Sequence, residues 1–154
     1  MLLDVDGVLN VVPKGSLGNS VRFEGGRLFP TEHTNRFLRW AWREFDVFWL
    51  TAWFRNANEI ARWAGLPERP VLGSPSHYGD FKLTAVKKKF ARHGGKVVWV
   101  EDGIGGEAEK WVAKRSNFLY VHTEPAVGVT AQHSTVMAKF CGLKNPDWRK
   151  YVGS

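Results

Sequence analysis

Cysteine is nearly absent. A single thiol, Cys141, in 154 residues excludes an internal disulfide and a cysteine-built zinc site, and it fits a reducing cytoplasm. Long apolar runs are missing as well. Hydrophobic residues make up 44% of the chain, yet no stretch approaches the roughly 20 needed to span a bilayer, so no membrane segment is expected. No charged and apolar leader with a small-residue cleavage site precedes Leu2, and secretion is not signalled. Internal repeats, low-complexity tracts and linkers are lacking, as is any Gly-x-x-x-x-Gly-Lys-Ser/Thr run, which excludes a P-loop kinase half. The five histidines, His33, His77, His93, His122 and His133, have no second ligand at metal-binding spacing, so they read as surface or satisfied residues. The length is that of one domain around one core.

What is abundant is positive charge and tryptophan. Twenty-two Lys and Arg against 15 Asp and Glu give a net +7, a balance that favours an anionic partner such as nucleic acid or a phosphorylated substrate. The clusters Lys87 to Arg92 and Lys144 to Lys150 read equally as phosphate tracks or as a solvated helix face and a frayed tail. Of the eight tryptophans, Trp40, Trp49, Trp63, Trp99 and Trp111 each fall inside an apolar periodic segment and read as core rather than as base-stacking platforms.

Strand and helix signals alternate from end to end, which predicts a parallel sheet with helices on both faces. Strands are expected at Leu2 to Val5, Asp46 to Leu50, Pro70 to Leu72, Lys96 to Asp102 and Asn117 to Val121. Helices are expected from Thr34 to Phe45 with Thr31 as its threonine cap, from Asn56 to Ala64 ahead of Gly65, from Phe81 to His93, from Gly106 to Arg115, and from a Thr130 cap to Cys141. The segment from Val11 to Phe29, with Pro13 and repeated glycines, reads as a hairpin or flap. The loop Gly73 to Asp80 has no periodic pattern, and the stretch from Lys144 to Ser154 reads as a disordered basic tail. Residues 1–143 are then a single catalytic domain with a flap at about 9–29, and residues 144–154 a tail.

Chemistry concentrates at the strand ends. Asp4 and Asp6 leave the first strand as Gly7 turns the chain, Thr51 follows the second, and Glu101 and Asp102 close a later one. In a parallel sheet these ends line one crevice. Taken alone, the opening decapeptide suggests phosphoryl chemistry first, with an ordinary strand ending in an Asx-Gly turn as the alternative. The convergence of three such ends favours a hard, oxygen-rich site suited to Mg²⁺ and a phosphate. Thr51 offers a hydroxyl to a phosphoryl oxygen, and a lysine can neutralise the charge developing there.

Asp4-Val5-Asp6-Gly7-Val8-Leu9, Leu50-Thr51, Lys82 and Val100-Glu101-Asp102 resemble, in order, the four motifs of the haloacid dehalogenase (HAD) superfamily of aspartyl-phosphate phosphatases. More narrowly, Trp49 to Trp53, Phe81 to Leu83, Trp99 to Asp102 and Gly128 to Thr130 resemble small bacterial and phage members associated with nucleic-acid, including RNA, repair. The resemblance implies a three-layer α/β/α Rossmann-like HAD fold with a mainly parallel sheet, a short flap after the first strand and no large cap. It implies that Asp4 attacks phosphorus, and that Asp6 protonates the leaving oxygen and later activates water. It also implies that Thr51 and Lys82 bind the transferring group, with Lys87 and Lys96 as rival lysines. Mg²⁺ would be held by the Asp4 carboxylate, the Asp6 backbone carbonyl and Asp102, with Glu101 or Glu107 in support through water.

Gly7, Asn10, Ala52 and His77 are the expected substrate contacts. Asn10 stands where threonine is frequent in relatives and either holds the flap or caps a turn, and His77 lies in the irregular loop before Lys82. Gly103 to Gly106 reads as a turn, lacking the spacing of a phosphate-cradling loop. The intervals Asp6 to Thr51 and Thr51 to Lys82 are too short for a large lid, so the site is expected to be open to a macromolecular end. A Mg²⁺-dependent phosphatase acting on DNA or RNA ends, such as a 3′-phosphate, is the first reading. A phosphatase for small nucleotides or sugar phosphates and a non-catalytic nucleic-acid-binding module stand as alternatives. No obligate protein partner is readable.

Overall fold

The computed structural model describes residues 1–11, 19–74 and 81–151. Six strands and five α-helices are formed among them: β1 (Leu2–Leu3), β2 (Val21–Phe23), β3 (Gly26–Leu28), α1 (Thr34–Glu44), β4 (Phe48–Trp49), α2 (Ala57–Trp63), α3 (Phe81–Phe90), β5 (Val97–Glu101), α4 (Gly106–Ala113), β6 (Phe118–His122) and α5 (Ala131–Cys141). Short 3-10 turns at Phe54–Asn56 and Trp148–Tyr151 complete them. β4, β1, β5 and β6 form one parallel sheet in that order.

Period-two alternation decides the layering. Leu3, Trp49, Val98 and Val100 face one core, shared with Phe37, Leu38 and Trp40 of α1, Ile60 of α2 and Met137 of α5. Their chain neighbours Leu2, Leu50, Val97 and Trp99 face a second core, shared with Leu83, Val86 and Phe90 of α3 and Ala108 and Val112 of α4. Helices therefore cover both faces, which is the three-layer α/β/α arrangement expected. β5 is buried at every position, as an apolar, β-branched strand inside a parallel sheet should be.

Register then places the strand ends. Leu3 pairs with Trp49 on one side and Val100 on the other. Asp4 therefore emerges beside Glu101, and Leu50 and Thr51 emerge on its other flank. The backbone N–H of Asp4 donates to Val100 O at 3.2 Å, and that of Leu50 donates to Leu3 O at 2.9 Å.

The flap is an antiparallel hairpin, β2 pairing with β3, closed at its base by Val11 N–H donating to Phe29 O at 3.1 Å. Its stretch 12–18 lies outside the described residues. Among the described residues, only this hairpin and α1 separate the first two strand ends, and no large cap is present.

Two expectations change in detail. The strand near Pro70 to Leu72 is reduced to a single parallel bridge, Trp49 to Val71, because Pro70 has no N–H to continue a ladder. α1 has no side-chain cap at His33. Instead the Thr31 hydroxyl accepts from His33 N–H and the Thr34 hydroxyl accepts from Thr31 N–H, so both brace the turn before the helix. α5 keeps its Thr130 cap, completed reciprocally by His133.

The described part of the basic tail packs onto the first core: Trp148 lies edge-on against Trp40 and His33, and Tyr151 is buried. Aromatic area there outweighs the local charge that suggested a frayed end. No helix among the described residues is long and apolar enough to cross a membrane.

Candidate active site

The crevice beyond β1, β4 and β5 gathers most of the residues singled out from the sequence. Asp4 is buried, and its Oδ2 lies 3.1 Å from Lys82 Nζ. Glu101, only 2% exposed, places Oε2 2.5 Å from the same ammonium. Oxygen atoms of Asp4, Glu101 and Asp102 all lie within 4.8 Å of one another. Lys82 reaches them from the first turn of α3. Lys87 is exposed on the same helix, and Lys96 is engaged elsewhere, hydrogen-bonded to Phe140 O and lying over the Phe140 ring.

Gly7 sits against Asp102 in a way that no other residue could. Its φ is +74°, and a Cβ there would lie 2.4 Å from Asp102 Oδ2. A left-handed turn without a side chain is thus what lets Asp102 approach the first strand end.

Asp6 is exposed and is held by other partners than the acidic cluster. Its carboxylate accepts from Asn10 Nδ2 at 2.8 Å and from the Trp53 indole N–H at 3.0 Å. Asn10 then accepts the backbone N–H of Phe29 at 2.8 Å through its other amide atom. The two alternatives for Asn10 resolve to the first: it ties the flap to Asp6.

Thr51 is fully buried, with its hydroxyl accepting Trp53 N–H at 3.2 Å, and Ala52 is exposed at the rim. Glu107 is exposed on α4 and stands apart from the cluster, whereas Glu101 is a direct member of it. His77 lies outside the described residues. The remaining histidines serve local structure, as with His133 in the α5 cap and His33 against Trp148.

Several contributors were hidden from sequence reasoning. Thr123 is buried after β6 and donates its hydroxyl to Gly7 O at 2.8 Å, across 116 residues of chain. Gly128 (φ +72°) comes so close that a Cβ would meet Val8 O at 2.6 Å, and Val129 N–H donates to that same carbonyl at 2.8 Å. Trp53 links Asp6 to the flap tip, since a Cβ on Gly25 would strike its ring at 2.8 Å and the Asn56 Cβ at 2.6 Å. The phrase Gly128 to Thr130 was the only signal in the sequence for the second contact. A lone threonine such as Thr123 carries none.

Electrostatics favour a further cation. Burial alone would lower the Lys82 pKa, but Asp4 and Glu101 outweigh it and raise it. Burial, then the hydrogen bond and charge of Asp4, push Glu101 up to about 10 against the pull of Lys82. Glu101 therefore keeps its proton, since burial and the neighbouring Asp4 disfavour a second carboxylate charge more than the one ammonium favours it. Mg²⁺ fits this donor set, being a hard ion that takes a few carboxylate oxygens. Asp4, Asp102 and Glu101 would hold it, and its charge would replace the extra proton.

A family model described as the HAD domain in Swiss Army Knife RNA repair proteins matches residues 1–134. No curated protein and no solved structure matches the chain.

Proposed function

Because the chain belongs to the family of HAD domains in Swiss Army Knife RNA repair proteins, we propose that it is a Mg²⁺-dependent phosphomonoesterase acting through an aspartyl phosphate on the ends of nucleic acid, a 3′-phosphate above all. One observation carries the reading: the buried Asp4 carboxylate, 3.1 Å from Lys82, shares its crevice with Glu101 and Asp102.

Asp4 Oδ attacks phosphorus as the bond to the leaving oxygen breaks, and Asp6 gives that oxygen its proton. Asp6 then takes a proton from water, which attacks phosphorus and frees Asp4, so that one hard displacement becomes two easier ones. Bound Mg²⁺ supplies charge that offsets repulsion between a carboxylate nucleophile and a phosphate dianion. Lys82 neutralises equatorial charge, and Thr51 donates its hydroxyl to a phosphoryl oxygen. Trp53 and Asn10 hold Asp6 at the rim, where a leaving oxygen would stand, Gly7 lets Asp102 come close, and Ala52 presents only a methyl group to the approach. Residues 1–143 are the catalytic unit, and the lone Cys141 suits a reducing cytoplasm.

The substrate follows from the RNA-repair family, the +7 charge and a crevice without a large cap among the described residues. The test is phosphate release from p-nitrophenyl phosphate, mononucleotides and 3′- or 5′-phosphorylated oligonucleotides, with Mg²⁺ or chelator. Release that requires Mg²⁺, prefers oligonucleotide ends and vanishes in Asp4→Asn with an unchanged melting temperature is the expected result. Equal rates on mononucleotides would move the assignment to small phosphate esters, and ordinary rates in Asp4→Asn would end the case for the nucleophile.

A further inference from the structure

We propose that a groove running from Ala52 to Lys88 is the track for the single-stranded nucleic-acid segment that leads into the active site. This rests on the reading above and names the form of substrate that the site takes. Two hollows of about 580 and 530 Å³ share Val71, Gly73 and Ser74 in their linings and so lie side by side on the surface. Each is within the range of about 300–1,000 Å³ that bound ligands occupy. One end opens at exposed Ala52, the residue after Thr51, and the other reaches Lys88 on the outer face of α3.

The lining suits a polynucleotide strand better than a peptide or a lipid. Phe54 and Phe81 line successive parts of the groove with ring centroids 5.3 Å apart, giving adjacent aromatic surfaces. Phe54 is the only non-glycine residue at positive φ among the described residues, at +48°. The chain accepts that strained conformation in the loop bordering the reaction centre. Arg55 and Lys88 stand exposed along the rim, and neither has an ion-pair or hydrogen-bond partner among the described residues. Unpaired cations beside an aromatic floor match the alternation of phosphate and base in a single strand. A duplex keeps its base faces stacked on one another and could use only the cations. The groove is also separate from the acidic cluster, so its occupant approaches with phosphates on the basic rim and its terminal phosphate toward Thr51.

The measurement is fluorescence anisotropy of a labelled 3′-phosphorylated oligonucleotide, single-stranded or annealed to its complement, binding to full-length Asp4→Asn protein over a salt series. Arg55→Ala/Lys88→Ala and Phe54→Leu are made in the same background. Single strand is expected to bind at least tenfold tighter than duplex, and Phe54→Leu to weaken the single strand severalfold while leaving the duplex unmoved. The double alanine variant should lower the slope of log affinity against log salt by about 1.4, at roughly 0.7 for each single-strand phosphate that a cation no longer neutralises. In otherwise wild-type protein, the ratio of kcat/KM for the oligonucleotide to that for p-nitrophenyl phosphate should drop at least tenfold with the double substitution. Equal affinity for the two strand forms, or an unaltered salt slope, overturns the groove. If wild-type protein hydrolyses neither compound, the catalytic reading fails on its own, and anisotropy still decides the groove.

Discussion

Asp6 is the residue whose position depends most on its neighbours, since an exposed carboxylate has no burial to fix it. Two donors do so, the Asn10 amide and the Trp53 indole. Trp53→Phe keeps the ring under the flap tip and removes one donor. It is expected to lower kcat roughly tenfold, a part of the 10²- to 10⁴-fold that a positioned acid supplies, with KM little changed. Steady-state kinetics on a 3′-phosphorylated oligonucleotide, whose alkoxide leaving group needs that proton, read both numbers.

Glu101 gives a second prediction. Its folded pKa, about 10, lies above its ordinary 4.5, so between those values the folded state binds more protons than the unfolded one. Stability therefore falls as pH rises through that interval. Metal-free protein should melt progressively lower from about pH 5 to pH 9, and Glu101→Gln should flatten the trend; a level wild-type profile would contradict it. Sequence could show that acids would meet, because Asp4 and Asp102 close apolar strands. It could not show that Glu101 would touch Lys82 directly, which depends on the register of Leu3 with Val100.

Among the elements, β5 carries the most. Trp99 lies at its centre, 1% exposed, in the core beneath α3 and α4. Trp99→Ala should cost about 3–5 kcal/mol by denaturant titration, with the slope unchanged. A loss under 1 kcal/mol would mean that the second core collapses around the gap.

Helices and the central strand were legible because their periodicities of 3.6 and 2 are strong: α3, β5 and α5 fall inside the segments expected. Where reading went astray, something distant decided. Thr31 looked like a cap but braces a turn with Thr34, and Pro70 limits a strand to one bridge. The segment after Lys144 folds back because Trp148 finds Trp40, about a hundred residues earlier in the chain. No local pattern encodes such a meeting.

At the scale of the whole molecule, metal binding should appear as stability. Ligand that binds only the folded form adds RT ln(1 + [L]/Kd), about 2.7 kcal/mol at a hundredfold excess over Kd. Mg²⁺ should thus raise the melting temperature saturably in wild-type protein and scarcely at all in Asp102→Asn. Comparable shifts in the two by differential scanning fluorimetry would place the ion elsewhere.

The general architecture was readable from end to end through the alternation of strand and helix, whereas the flap's attachment and the clasp on the first loop were not. That clasp bears on synthesis. Thr123 and Val129 grip Gly7 and Val8, the first of these contacts spanning 116 residues of chain, so this loop is finished only once residues 123–129 have been made. A nascent or truncated polypeptide ending before Thr123 would carry Asp4, Asp6, Lys82 and Asp102 yet lack the fastening that sets the first two, and would stay inert until its late-made portion arrived.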